Sequence, residues 1–79
     1  GAAVQPQSDD VHDFPCGIFK CRPATLNTPI SNPSYGDICA VTQWDPNTKH
    51  YLYSSMSGLL YWGIKSGGSY TWRRIDNPE

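Results

Sequence analysis

Apolar and polar positions alternate with strand-like spacing only in the second half of the chain. Ile38-Cys39-Ala40-Val41-Thr42-Gln43-Trp44 is a run of β-branched and aromatic residues that ends at Asp45-Pro46-Asn47-Thr48. His50-Tyr51-Leu52-Tyr53-Ser54 follows and is broken by Ser55-Met56-Ser57-Gly58. Leu59-Leu60-Tyr61-Trp62-Gly63-Ile64 leads into Ser66-Gly67-Gly68-Ser69, and Tyr70-Thr71-Trp72-Arg73-Arg74-Ile75 closes the pattern before Asp76-Asn77-Pro78. Residues of these types fit a pleated, half-buried surface, and the clusters between them have turn chemistry. The paired glycines tolerate the positive φ of a tight hairpin turn. Connections this short force neighbouring strands to run antiparallel.

Before Ile38 the pattern is different. Pro15, Pro23, Pro29 and Pro33, with Gly17 and Gly36, punctuate Phe14 to Asp37. Proline fixes φ, lacks an amide donor and biases its predecessor away from helix, so no long helix is expected there. One short strand fits, Gly17 to Arg22. The first thirteen residues hold three carboxylates, no Lys or Arg, and only Ala and Val as apolar side chains. That composition cannot offset about 1–2 kcal/mol of backbone entropy per ordered residue. The expectation is a disordered acidic tail over 1–13 and one small β domain over 14–79, folded from about Phe14 to Asn77. The fold class expected is all-β: a small antiparallel barrel or sandwich of four to six strands, with one disulfide.

Period-two alternation places Tyr51 and Tyr53 on one face of their strand and Leu52 on the other. It pairs Trp62 with Leu60 and Ile64, and Tyr70 with Trp72 opposite Thr71, Arg73 and Ile75. Both faces then carry large apolar groups, more than one small core absorbs, so at least two aromatics should stay partly exposed. Tyr61, Trp62, Tyr70 and Trp72, with Arg73 and Arg74 beside them, are the candidate binding residues. Aromatics and Arg combine contact area with polar handles and dominate protein interfaces. The same rings in a row would suit a carbohydrate platform. A third candidate is Lys20, a basic residue in an extended segment between cysteines, which suits the acidic specificity pocket of a trypsin-like protease.

Charge and composition narrow the classes. The formal net charge is −1, with −3 on the first thirteen residues and +2 on the remainder. That is far from the dense basic surface of a nucleic-acid binder. No apolar run is long enough to span a bilayer, so no membrane partner is expected. Three cysteines, Cys16, Cys21 and Cys39, with seven Pro and seven Gly, suit an oxidising compartment and a secreted protein. A chain this short gains much from a covalent staple. Cys39, inside a β run, is the expected partner of either Cys16 or Cys21, a bridge contributing about 3 kcal/mol by loop closure.

Catalysis finds no constellation. His12 falls in the expected tail, His50 starts a strand, and Asp37, Asp45 and Asp76 sit at turns, where carboxylates bond the backbone. No nucleophile elbow or phosphate loop is present. A set of His50, Arg73 and Asp45 would be the nearest approach to a ribonuclease-like site. Cys16, Cys21, Cys39 and His50 form a Cys3His set only on paper, because the spacing lacks the tight knuckles of structural zinc. The chain is expected to be non-catalytic, without metal or cofactor.

Phe14-Pro15-Cys16, directly after the tail, resembles the aromatic-x-Cys motif that opens many small secreted effectors of plant-pathogenic fungi. Two scaffolds of that kind are similar in plan, the six-stranded MAX-type sandwich and the ribonuclease-like effector fold. The first usually pairs an early cysteine with a late one, but here no cysteine follows Cys39, and prolines fill 22–37 where the second scaffold carries a helix. The resemblance implies a structural role for Phe14 and Cys16. It also implies a virulence-type protein that binds a host macromolecule without catalysis. The leading expectation is therefore docking of a protein partner through a sheet edge or an aromatic patch.

Overall fold

The computed structural model describes residues 2–75. Five strands form one antiparallel meander in chain order: β1 (Gly17–Lys20), β2 (Ile38–Asp45), β3 (Thr48–Ser54), β4 (Leu60–Ser66) and β5 (Ser69–Arg74). The four strands expected after Ile38 all form, and the fifth lies within Gly17 to Arg22. β4 and β5 join through the two-glycine hairpin, with Gly67 at φ +61° and Ser66 paired to Ser69. The sheet is open. Expected closure into a barrel, or stacking into a sandwich, does not occur: β1 and β5 lie at opposite edges of a single layer. The four strands after Ile38 are joined by short connections and can each reach just their neighbours; β1, separated from them by the irregular stretch 21–37, adds to the free edge of β2, and no second layer of strands is left among the described residues.

The second layer comes from residues 2–14 instead. Val11 and Phe14 are fully buried against Phe19, Cys39, Val41, Tyr51 and Tyr53 on one face of the sheet. A 3-10 turn at Val11–Asp13 is capped by Asp10, whose side chain accepts from the His12 amide. Val4 pairs in parallel with β1, its amide donating to Ile18 O at 3.0 Å and its carbonyl accepting from the Lys20 amide at 2.8 Å. Residues 2–13 are thus a docked strap, not the disordered tail expected. Composition averaged over thirteen residues hid the two positions that matter, Val11 inside the segment and Phe14 at its end. Each contributes about 1.5–3 kcal/mol by burial. Residue 1 and the closing Asp76-Asn77-Pro78 lie outside the described residues.

The proline-rich stretch is irregular, as expected, and is pinned at Asp37. This carboxylate is buried and accepts from Tyr53 Oη (2.6 Å), the Ser34 amide (3.0 Å) and the Met56 amide (2.7 Å). Burial, with the Asp37 hydrogen bond second, pushes the Tyr53 phenol well above the ordinary tyrosine range.

The expected disulfide is absent: all three cysteines are free. Register gives the reason. Gly17 pairs with Val41, so Cys16 lies three positions along the ladder from Cys39, about 10 Å away. Cys21 donates its amide to Asp37 O and is only a diagonal neighbour of Cys39, at the typical ~7–8 Å, beyond the reach of an S–S bridge. Cys39 is buried in mid-strand, as its sequence context indicated.

Candidate functional site

The strap covers one face of the sheet and leaves the other bare. On the bare face, ladder pairing aligns Ile18, Ala40, Leu52, Trp62 and Arg73 in a row across all five strands. Ile18 is 54% exposed, Leu52 42% and Trp62 40%. The row to one side holds Lys20, Ile38, Ser54 and Leu60, and the row to the other holds Thr42, His50, Ile64 and Thr71. An apolar centre therefore runs from edge to edge, with a cation at either end: Lys20 on β1 and Arg73 on β5.

Local sequence explains the layout. In β3 and β4 alternation sends Tyr51, Tyr53 and Tyr61 to the strap side and Leu52, Leu60, Trp62 and Ile64 to the bare side. Trp62 stacks on the diagonal His50, ring centroids 5.8 Å apart and 16° from parallel. Beside it a notch of about 50 Å³ is lined by Trp62, Ile64, Thr71 and Arg73. No carboxylate stands in the three rows. Asp45 is at the β2–β3 turn, where its Oδ1 accepts from the Asn47 amide at 2.8 Å.

The six residues singled out from sequence divide between the two faces. Trp62 and Arg73 stand side by side on the bare face. Tyr61, Tyr70, Trp72 and Arg74 lie on the strap side. Trp72 packs on Tyr51 and Tyr53, with centroids 5.6 Å and 6.4 Å away. Tyr61 is half-buried at the core margin, and Arg74 opposite it is itself engaged. Tyr70 is stacked by His12, with centroids 3.4 Å apart. Four rings in one exposed row, as a sugar platform needs, are not formed. Lys20 is held between Ile38 of β2 and Val4 of the strap, in a flat paired strand and not in a projecting loop.

Ile18, Ala40 and Leu52 are the members that sequence reasoning missed. Their alternation was readable, but which face the rest of the chain would cover was not. Among the described residues no group of three or more His, Cys, Asp or Glu is arranged to hold a metal ion. His50, Arg73 and Asp45 do not converge: His50 pairs with Ile64, Arg73 with Trp62, and Asp45 closes a turn. No family model, curated protein or solved structure matches the chain.

Proposed function

We propose that the protein is a non-catalytic binding protein that docks a partner protein on the bare face of its sheet. The observation that carries this reading is the uncovered row Ile18–Ala40–Leu52–Trp62–Arg73. Single exposed apolar residues are ordinary, but a contiguous patch spanning a sheet is characteristic of an interaction surface. Trp62 and Arg73, adjacent and flanking a notch, are the residue types that anchor interfaces.

Charge specifies the partner. The face carries Lys20 and Arg73 with no carboxylate among its rows, so a second copy laid face to face would bring cations to cations. A partner with an apolar patch bordered by carboxylates is complementary, and its charges would speed encounter and fix orientation. The aromatic-x-Cys resemblance points the same way, to a secreted effector-type protein with a host protein as its partner.

The test is a set of bare-face variants against a partner isolated with the wild-type protein. Trp62→Ala should weaken binding by about 30-fold or more, the size of an interface hot spot. Leu52→Asp should abolish it, and Arg73→Glu should slow association and reverse its salt dependence. All three side chains are exposed, so the fold should survive. Undiminished binding by the Leu52→Asp, Trp62→Ala double variant would refute the reading. Retention on chitin, cellulose or β-glucan that is lost in Trp62→Ala would replace the protein partner with a polysaccharide.

A further inference from the structure

A cleft of about 400 Å³ opens at the Lys20 end of β1, between the strap and the corner that leads into β2. Ala3 and Ile38 form its walls, Cys21 its floor, and Lys20, Arg22 and Tyr35 its mouth. The volume lies in the range of small-molecule sites. Two features of the mouth have no role in holding the fold.

The first is Tyr35, which is 76% exposed and contributes little to any core. Its position is nevertheless set by the backbone. Gly36 follows at φ +98°, a conformation that favours glycine, and Met56 packs where a Cβ would stand. A corner that presents a large ring to solvent beside a cleft leaves one ring face for a ligand.

The second is charge. Arg22 is committed to Asp9, with Nε and Nη2 donating to the two carboxylate oxygens at 3.0 and 2.6 Å. Asp37, which also lines the cleft, has both oxygens occupied by Tyr53, Ser34 and Met56. Lys20 has no ion pair among the described residues. The mouth therefore offers one cation without an ion pair, Lys20, over largely apolar walls, while the Asp37 carboxylate keeps its negative charge and is turned to its three donors.

We propose that this cleft binds a small planar aromatic carboxylate. Its ring would lie between Tyr35 and the Ala3–Ile38 wall, with its carboxylate on Lys20 Nζ. An aromatic ring gains offset stacking on Tyr35 that an alkyl chain does not. A carboxylate on Lys20 makes a charge-assisted hydrogen bond, about twice as strong as a neutral one. The cleft shares Lys20 and Ile38 with the margin of the bare face, but the proposal does not depend on the docking reading.

Titration of the ¹⁵N-labelled full chain with 1-naphthoate, followed by amide shifts, tests it. Saturable shifts should centre on Lys20, Cys21, Gly36 and Ile38. Lys20→Met and Tyr35→Ala should each weaken binding by about tenfold, the scale of one charge-assisted hydrogen bond. Both side chains are exposed, so unchanged shifts elsewhere will show that the variants fold. The neutral 1-naphthalenemethanol and the alkyl carboxylate decanoate should bind more weakly than 1-naphthoate. The proposal is overturned if no shift saturates, if shifts centre on Leu52 and Trp62, or if either comparison probe binds as tightly. Failure here leaves docking intact, because that reading is measured through Leu52, Trp62 and Arg73.

Discussion

Gly63 and Trp72 show how a single position assigns an aromatic ring to core rather than to binding. The two residues are ladder partners on the strap side of the sheet, next to Tyr51. A Cβ on Gly63 would stand 2.6 Å from Trp72 Cε3, so the indole lies flat over the missing side chain. Glycine normally weakens a strand, and here the ring restores the lost packing. Gly63→Ala should therefore destabilise the protein by about 1–3 kcal/mol, the cost of overpacking, although alanine is the better strand former. A urea midpoint equal to or above wild type would mean that the ring does not rest there. Trp72 was legible in the sequence as a large aromatic in a strand, and so was its shared face with Tyr70. Its burial was not, because alternation names a face without saying what lies over it.

Among the elements, the strap differs most from what its composition implied. Its hold on the sheet combines two parallel backbone bonds at Val4, the buried Val11, the His12–Tyr70 stack and the exposed Asp9–Arg22 pair. The ion pair is solvent-exposed, where such pairs contribute little, so burial dominates. Val11→Ala should cost about 2 kcal/mol in urea unfolding. A change under about 0.5 kcal/mol, the range of ordinary surface substitutions, would show that the strap is not docked. The strap also occupies the β1 edge, so that edge is not open to a partner strand. The strands themselves were the most legible elements, since their turns are marked by Pro, Asn and Gly and their lengths by the runs between.

For the molecule as a whole, the absence of a staple puts the weight of stability on burial, and this makes it sensitive to alkali. Burial, with Asp37 second for Cys21 and Cys21 second for Cys39, pushes both thiols up to about 12. Burial likewise raises Tyr51, whose hydroxyl has no hydrogen-bond partner among the described residues, to about 12. A folded-state pKa raised above the unfolded value means that the native chain holds its protons more tightly. That stability is complete below the ordinary thiol range of about 8.5 and is lost as pH climbs towards about 12, by up to about 1.4 kcal/mol per pH unit for each group. The urea midpoint should fall steadily above about pH 9, and less steeply in Cys39→Ala. A flat profile would contradict buried, protonated thiols. A thiol reagent at neutral pH should modify Cys16 at once, and Cys21 and Cys39 only on unfolding. Rapid reaction of all three would contradict their burial as well.

The sequence by itself determined the four strands after Ile38, their meander and antiparallel sense, and the two sets of residues that alternation separates. These follow from local chemistry: turn residues at fixed places and a side-chain period of two. It also made inevitable that some aromatics would stay exposed. Tertiary structure alone decided which set faces water. That choice depended on Val11 and Phe14, two apolar residues ahead of the strands, folding back over Tyr51 and Tyr53. Once they did, Trp72 packed against the core and Tyr70 gained the His12 stack while staying partly exposed, and Ile18, Leu52 and Trp62 were left on the uncovered face. The cysteines were settled in the same way, because register between β1 and β2 is a long-range property. It set Cys16 and Cys21 on either side of Cys39, too far along the ladder for either to bridge.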